Sequence, residues 1–317
     1  MASNSPFSWA PSATMHYDRV LSQALLDALS PGGPLHGAVA WRHEDVGLRD
    51  VQLRRQPKGS GSWASLYLGL TSVLDIHEQR GLFRLAAHNT HRAAGFDPSW
   101  RSWQALEALA QQWPRVERYL DRVVPTVHSR WLDSEGQVHA LIAGSARTGF
   151  SVVNREASLA FANQPAKDRL CADWERTLKR AILTSGRTEP WWTALSARRM
   201  GTSPDFIAVD DAGRLLVIEA KPATAAAGIT WGPAQVTFYA ATYAAWLAES
   251  GEAAQASLRQ QLEQRRALGL LVDHGERALG APPEVVPVLV IGPGMVSPEA
   301  WSRLAGVADA VEGQFPG

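Results

Sequence analysis

Apolar positions recur with helical spacing from Val20 to Leu29, and the run stops at the turn-forming stretch SPGGP. Short apolar runs of strand length follow at HGAVAWR, RDVQLRR, SWASLYLGL and GLFRLAA. WQALEALAQQWPRVERYLDRVV has the helical period, with Pro114 expected to kink or break it. VHSRWLDSEGQVHALIAG places turn residues at Asp133 to Gly136 between two strand-like runs, which predicts a hairpin.

The second half has a sharper order. A helix is predicted from Asp168 to Leu183, then an irregular stretch TSGRTEPWWTALSARRMGTS. A strand, a turn at DDAG and a second strand ending in VIEAK come next. An Ala-rich helix is expected from Pro233 to Glu249, a polar helix over 253–268, a buried strand at VVPVLVIG and a final helix from Pro298. The pattern predicts an α/β protein with an N-terminal α+β domain over residues 1–155 and a second α/β domain over 156–317.

Composition narrows the classes without choosing one. With 31 basic and 31 acidic residues the formal charge is zero, so a polyanion site must be local. A single cysteine, Cys171, excludes an intramolecular disulfide framework, and the N-terminus lacks the regions of a secretory signal, so a cytoplasmic location is expected. No apolar run reaches the roughly 18–20 residues of a membrane helix. The nine His show no metal-ligand spacing, and no G-x-x-x-x-G-K-[ST] loop is present.

One feature of composition has chemical content: the chain has 27 Arg and four Lys, and one Lys ends the strand LLVIEAK. Leu215, Val217, Glu219 and Lys221 share a face of that strand, because side chains alternate with period two. Asp205 opens the partner strand. Asp205 and Glu219 brought together give two hard oxygen donors and the Ala220 backbone carbonyl a third, a set suited to Mg²⁺ or Mn²⁺. Two neighbouring carboxylates repel unless a cation or a proton relieves them.

SPD (Ser203 to Asp205), thirteen residues and then EAK (Glu219 to Lys221) resembles the PD-(D/E)XK nuclease superfamily, and each half of the motif occurs once in the chain. Gln235 and Tyr239 in QVTFY, four apart on one helix face, resemble the Q-x-x-x-Y pattern of the RecB-like branch. The resemblance covers about residues 165–295. It implies a restriction-endonuclease-like core, a mixed central sheet flanked by helices. It also implies metal-dependent hydrolysis of phosphodiester bonds, most simply in DNA, with Asp205, Glu219, Lys221, Gln235 and Tyr239 forming the site. Lys221 would orient the attacking water or stabilise charge on the phosphate. Superfamily members often carry a glutamate on the helix before the hairpin, and Glu175 takes that position as a further metal ligand; an ion pair with Lys179 is the alternative. The His that accompanies this helix in RecB-like members has no counterpart in DRLCADWERT.

Trp191, Trp192, Arg198 and Arg199 precede the hairpin. Stacking on bases and contact with phosphates are open to Trp191, Arg198 and Arg199, and core packing is the plainer reading of the Trp pair. Asp210 and Asp211 read as turn formers, Tyr243 and Trp246 as core, and Cys171 as a buried structural thiol. Two rivals to a DNA nuclease remain open: a catalytically inactive nuclease-fold protein that binds nucleic acid or an assembly, and an RNA-directed nuclease. The first 155 residues are the expected module for target choice, a protein partner or homodimer formation.

Overall fold

The structure is a computed structural model and describes residues 15–41, 49–55, 61–127, 134–144, 149–184, 200–201, 203–271 and 277–312. Strand β1 (Met15–His16) leads into α1 (Gln23–Leu29), whose Ser22 cap accepts from the Leu25 N–H, and α2 (His36–Ala40) follows. An antiparallel meander is next, of β2 (Arg49–Arg55), β3 (Ser62–Leu68), β4 (Thr71–Gln79) and β5 (Leu82–Ala86). Then come α3 (Asn89–Arg92), α4 (Leu106–Gln111) and α5 (Trp113–Val123). Leu53, Leu66, Leu74 and Leu85 of the meander pack with Leu25, Leu109, Val116 and Leu120 of the helices in one core.

The remaining elements build a second sheet and its covers: α6 (Glu135–Gly144), β6 (Phe150–Arg155), β7 (Ala160–Phe161), α7 (Gln164–Thr184), β8 (Phe206–Asp210), β9 (Leu215–Lys221), α8 (Ala226–Ala267), β10 (Val285–Ile291) and α9 (Pro298–Val311). The strand order is β10-β9-β8-β6, with β10 parallel to β9 and the other neighbours antiparallel. β7 pairs instead with β1.

Period two sorts the hairpin's side chains. Ile207, Val209, Leu215 and Val217 pack against Trp174 and Leu178 of α7 and Trp231, Phe238 and Tyr243 of α8. Phe206, Ala208, Leu216 and Ile218 pack on the other face against Val138 and Ile142 of α6. The sheet is thus mixed and carries helices on both faces, which is why β8 and β9 read as continuous apolar runs.

The two sheets are tied through buried polar bonds. Asn154 of β6 donates to the Leu53 carbonyl of β2 and accepts the Leu53 N–H, and Gln52 Nε2 donates to the Arg155 carbonyl at 2.7 Å. Arg265 of α8 donates to the Val51 carbonyl at 2.7 Å, and Gln264 holds Leu21 at both its N–H and its carbonyl. β6 ends at Arg155, on the N-terminal side of the expected division, and its ladder partner is β8.

Two expectations are corrected and one helix boundary moves. HGAVAWR is not a strand: residues His36–Ala40 are helical, and a Cβ at position 37 would sit 2.1 Å from Trp113 Nε1. Gly37 thus permits a close helix-to-ring approach, a tertiary contact that local apolar spacing does not reveal. The hairpin at Asp133 to Gly136 is replaced by the start of α6: Ser134 takes φ 52°, and its carbonyl accepts from the Val138 N–H. Residues 128–133 lie outside the described set. The Ala-rich and polar helices are two, as expected, meeting within α8 at a kink where Gly251 takes non-helical φ 52° and ψ −126°; the first of them begins at Ala226, before Pro233.

Candidate functional site

The β8–β9 turn is built from the backbone outward. Asp210 Oδ1 accepts the N–H groups of Ala212 and Arg214, its Oδ2 accepts from Arg214 Nε at 2.7 Å, and Gly213 supplies φ 77°. This turn sets the register Phe206↔Ile218 to Val209↔Leu215, which carries Asp205 to the level of Glu219. The Pro204 and Asp205 carbonyls accept from the N–H groups of Ala157 and Glu156, so the segment before β8 is held from the other side as well. The Ala220 N–H donates to Asp205 Oδ2 at 2.7 Å. In an antiparallel pair a residue's N–H and C=O face the same neighbour, so the Ala220 carbonyl is directed to the Asp205 side.

Glu219 is only 2% exposed. Its Oε1 accepts from Lys221 Nζ at 2.5 Å, and its Oε2 is buried without a hydrogen-bond partner among the described residues. The Lys221 ammonium also lies 3.6 Å from Glu135 Oε1 of α6. Its aliphatic stem passes Gly228 of α8, where a Cβ would meet Lys221 Cδ at 2.9 Å.

Glu135 and His139 stand one helical turn apart on α6, and His139 Nε2 lies 3.5 Å from Asp205 Oδ2. Ligand-capable atoms of Glu135, His139 and Asp205 all fall within 4.8 Å of one another. On its other side His139 Nδ1 lies 3.3 Å from Arg155 Nη2, and its ring tilts against Phe206 at 5.0 Å.

Gln235 Nε2 donates to the Tyr239 hydroxyl at 2.9 Å, as their spacing predicts. A Cβ at Gly201 would sit 2.5 Å from that hydroxyl, so the backbone before the Pro204–Asp205 pair runs directly over it.

The electrostatics set the two acids apart. Burial pushes the Glu219 carboxyl up to about 8, the charges of Asp205 and Glu135 add to the rise, and Lys221 only partly offsets them. Burial would also raise Asp205, but His139, Lys221 and the Ala220 N–H outweigh it and hold that carboxyl below its ordinary value. Burial lowers the Lys221 ammonium, and Glu219, Asp205 and Glu135 reverse this and leave it raised. The Tyr239 hydroxyl is raised by burial and by the charge of Glu219. This is a coupled cluster fed by β8, β9, α6 and α8.

Glu175 stands elsewhere: its Oε1 accepts from Lys179 Nζ at 2.5 Å, the alternative its spacing allowed. It lines an open cavity of about 620 Å³ with Lys167, Cys171 and Met200. Cys171 is half-buried rather than fully buried, and burial raises its thiol. Tyr243 and Trp246 are core, as expected. Trp191, Trp192, Arg198 and Arg199 lie outside the described residues.

The residues that the sequence reading missed are Glu135 and His139. Their signal was an acid and a His at i, i+4 on one helix face, hidden because DSEG reads as turn chemistry. The group of three answers the expectation that no His has ligand spacing: the third ligand-capable atom comes from a strand some 66 residues on, 205 − 139 in sequence. Comparison of the chain with protein-family models, curated proteins and solved structures finds no match.

Proposed function

We propose that the chain is a metal-dependent nuclease acting on DNA, with a restriction-endonuclease-like core formed by β6, β8, β9 and β10 under α6, α7 and α8. The observation that carries the reading is the Glu219 carboxylate: nearly solvent-free, beside Asp205 and Glu135, with Oε2 lacking a hydrogen-bond partner among the described residues. A buried carboxylate beside two other acids, with the one Lys221 cation only partly offsetting them, is costly unless it is protonated or ligated. Asp205, Glu219 and the Ala220 carbonyl, joined by Glu135, are hard oxygen donors that fit Mg²⁺ or Mn²⁺. Such an ion supplies a nucleophilic water at neutral pH and charge neutralisation at phosphorus.

The chain's own groups then have separable tasks. Asp205 is ionised and pinned by the Ala220 N–H. Lys221 is a compact cation held by Glu219 and Glu135, suited to the charge that builds on a phosphate. Gln235 keeps the Tyr239 hydroxyl oriented, while burial and the charges of Glu219 and Asp205 keep it a neutral phenol. His139 stands on α6 and not on the helix directly before the hairpin, a departure from the RecB-like pattern.

The test is incubation of the purified protein with linear, circular and single-stranded DNA and with RNA, in Mg²⁺, Mn²⁺ or EDTA. Metal-dependent DNA cleavage that Lys221→Arg slows by about 10²-fold is expected, since Arg brings a planar fork into a lane narrowed by α8. Cleavage of RNA alone would change the substrate. No cleavage of any substrate, together with wild-type binding in Ca²⁺, would favour a non-catalytic nucleic-acid-binding protein.

A further inference from the structure

The spacing of His139 Nε2 and Asp205 Oδ2 invites the assignment of both to one metal ion, but the other side of the imidazole argues against it. A metal-bound His donates its remaining N–H to a carboxylate, a carbonyl or water. Here His139 Nδ1 faces Arg155 Nη2 at 3.3 Å. A guanidinium has donors only and stays charged, so the Nδ1 that meets it must be the lone-pair nitrogen. The neutral ring's proton is then on Nε2, which cannot ligate.

Arg155 is not free to turn away. It is 1% exposed, its guanidinium carbon lies 3.9 Å above the Tyr67 ring and 5.7 Å from the Phe206 ring, and Nη2 also donates to the Gly69 carbonyl at 3.0 Å. Tyr67 and Gly69 belong to the β3–β4 hairpin of the N-terminal meander. The groups facing His139 are thus Arg155 on one side, Asp205 on the other, Glu135 one turn before it and the Phe206 ring alongside.

We propose that Arg155, clamped by the N-terminal meander, fixes His139 as the Nε2–H tautomer, making His139 a positioning residue that presents its N–H to Asp205 Oδ2 and not a metal ligand. The inference rests on the metal-site reading for its meaning but not for its test. At 3.5 Å the Nε2–Oδ2 contact is longer than a hydrogen bond, and it is expected to tighten when ligand orders Asp205.

The experiment is a long-range ¹H–¹⁵N spectrum of the full chain labelled at histidine, without metal and through titration with Mg²⁺ and with Zn²⁺, an ion that accepts imidazole readily. His139 should show a protonated Nε2 and a bare Nδ1 throughout. Arg155→Met, which keeps a long apolar chain over Tyr67, should release Nδ1. His139 in that variant should lose the Nε2 proton on Zn²⁺ addition, with Zn²⁺ affinity rising about tenfold, a gain that structural damage would not produce. His139→Gln, which can still offer an N–H to Asp205, should retain a wild-type Mg²⁺ requirement where His139→Ala does not. A protonated Nδ1 in the wild-type chain, or loss of its Nε2 proton on metal addition, overturns the assignment. Should Arg155→Met not fold, the wild-type spectrum decides alone. The expected spectrum in a protein that cleaves nothing would remove the nuclease reading and leave this one standing.

Discussion

Two buried polar clusters sit within one fold and are finished differently. Where the meander meets the second sheet, Asn154 exchanges two hydrogen bonds with Leu53, Gln264 two with Leu21, and Gln52 and Arg265 each reach a backbone carbonyl. At the end of β8 and β9, acids are packed beside acids, and Glu219 Oε2 and His139 Nε2 are buried without hydrogen-bond partners among the described residues. Buried polar groups are normally satisfied because leaving one unpaired costs about 1–3 kcal/mol. In the first cluster the side-chain amides of Asn154, Gln52 and Gln264 are bonded at both oxygen and nitrogen and read as structure; the second leaves two buried atoms unbonded in one place, which is what the proposed metal site would account for.

Isosteric neutralisation is the strongest way to break this contrast. Glu219→Gln removes a buried charge that its neighbours oppose, so the metal-free thermal midpoint should hold or rise. The proposed cleavage should fall roughly 10³-fold, the several kcal/mol an electrophile at phosphorus supplies. Asn154→Ala should do the reverse, lowering stability by about 1–3 kcal/mol while the folded fraction still cleaves. Calorimetry and initial rates on the two variants check both halves. A Glu219→Gln chain that is destabilised yet active would mean that Glu219 is structural and Lys221 its counterion.

The second test turns on pH. Glu219 is raised from an ordinary 4.5 to about 8 by burial, Asp205 and Glu135, so the folded state holds its proton more tightly than the unfolded chain. That contribution to stability is whole below about pH 4.5 and is lost as pH rises toward 8. Asp205 runs the other way, its depressed value contributing stability that is lost only at low pH, and the raised Lys221 acts only in the alkaline range. Metal-free protein should therefore melt lower at pH 8 than at pH 5.5. Mg²⁺ should flatten or reverse the slope, because ligation needs the deprotonated acid. Melting curves across pH with EDTA and with Mg²⁺ read this directly; slopes that do not differ would separate Glu219 from the metal.

What was legible follows the range over which each signal acts. The hairpin, its turn at Asp210 and Gly213, and the Gln235–Tyr239 pair are set by period two, turn chemistry and i, i+4 spacing, all local rules. Glu219 and Lys221 were read onto one face and lie in contact. Glu135 and His139 were not legible, because a helix that begins with Ser134 at positive φ looks like a turn, and because what makes them a site is Asp205, remote in sequence. Gly37 illustrates the same limit, since the Trp113 ring that it packs against lies far along the chain. Glu175 shows the opposite case: its position left open a metal ligand or an i, i+4 ion pair, and the local pair with Lys179 is present.

The smallest effect tests how sharply the open cluster is bounded. Gly201 is not a catalytic candidate, yet a Cβ there would meet the Tyr239 hydroxyl at 2.5 Å and come within 4.0 Å of Gln235 Nε2. That hydroxyl is the tip of a stiff ring buried against Phe238 at 5.8 Å, so the added methyl must displace the Gly201 backbone or rotate Tyr239 off its Gln235 bond. Gly201→Ala should thus lower the rate by about the same modest factor as Tyr239→Phe, on the order of tenfold, the usual consequence of losing an outer partner of a site. The double variant should cost little more than either alone, because both remove one oriented hydroxyl and neighbouring changes of this kind do not add. Metal affinity by titration should stay near wild type in all three. Full additivity in the double variant would show that Gly201 acts instead through the Pro204–Asp205 backbone three residues on, and would place the boundary of the site on that loop rather than on α8.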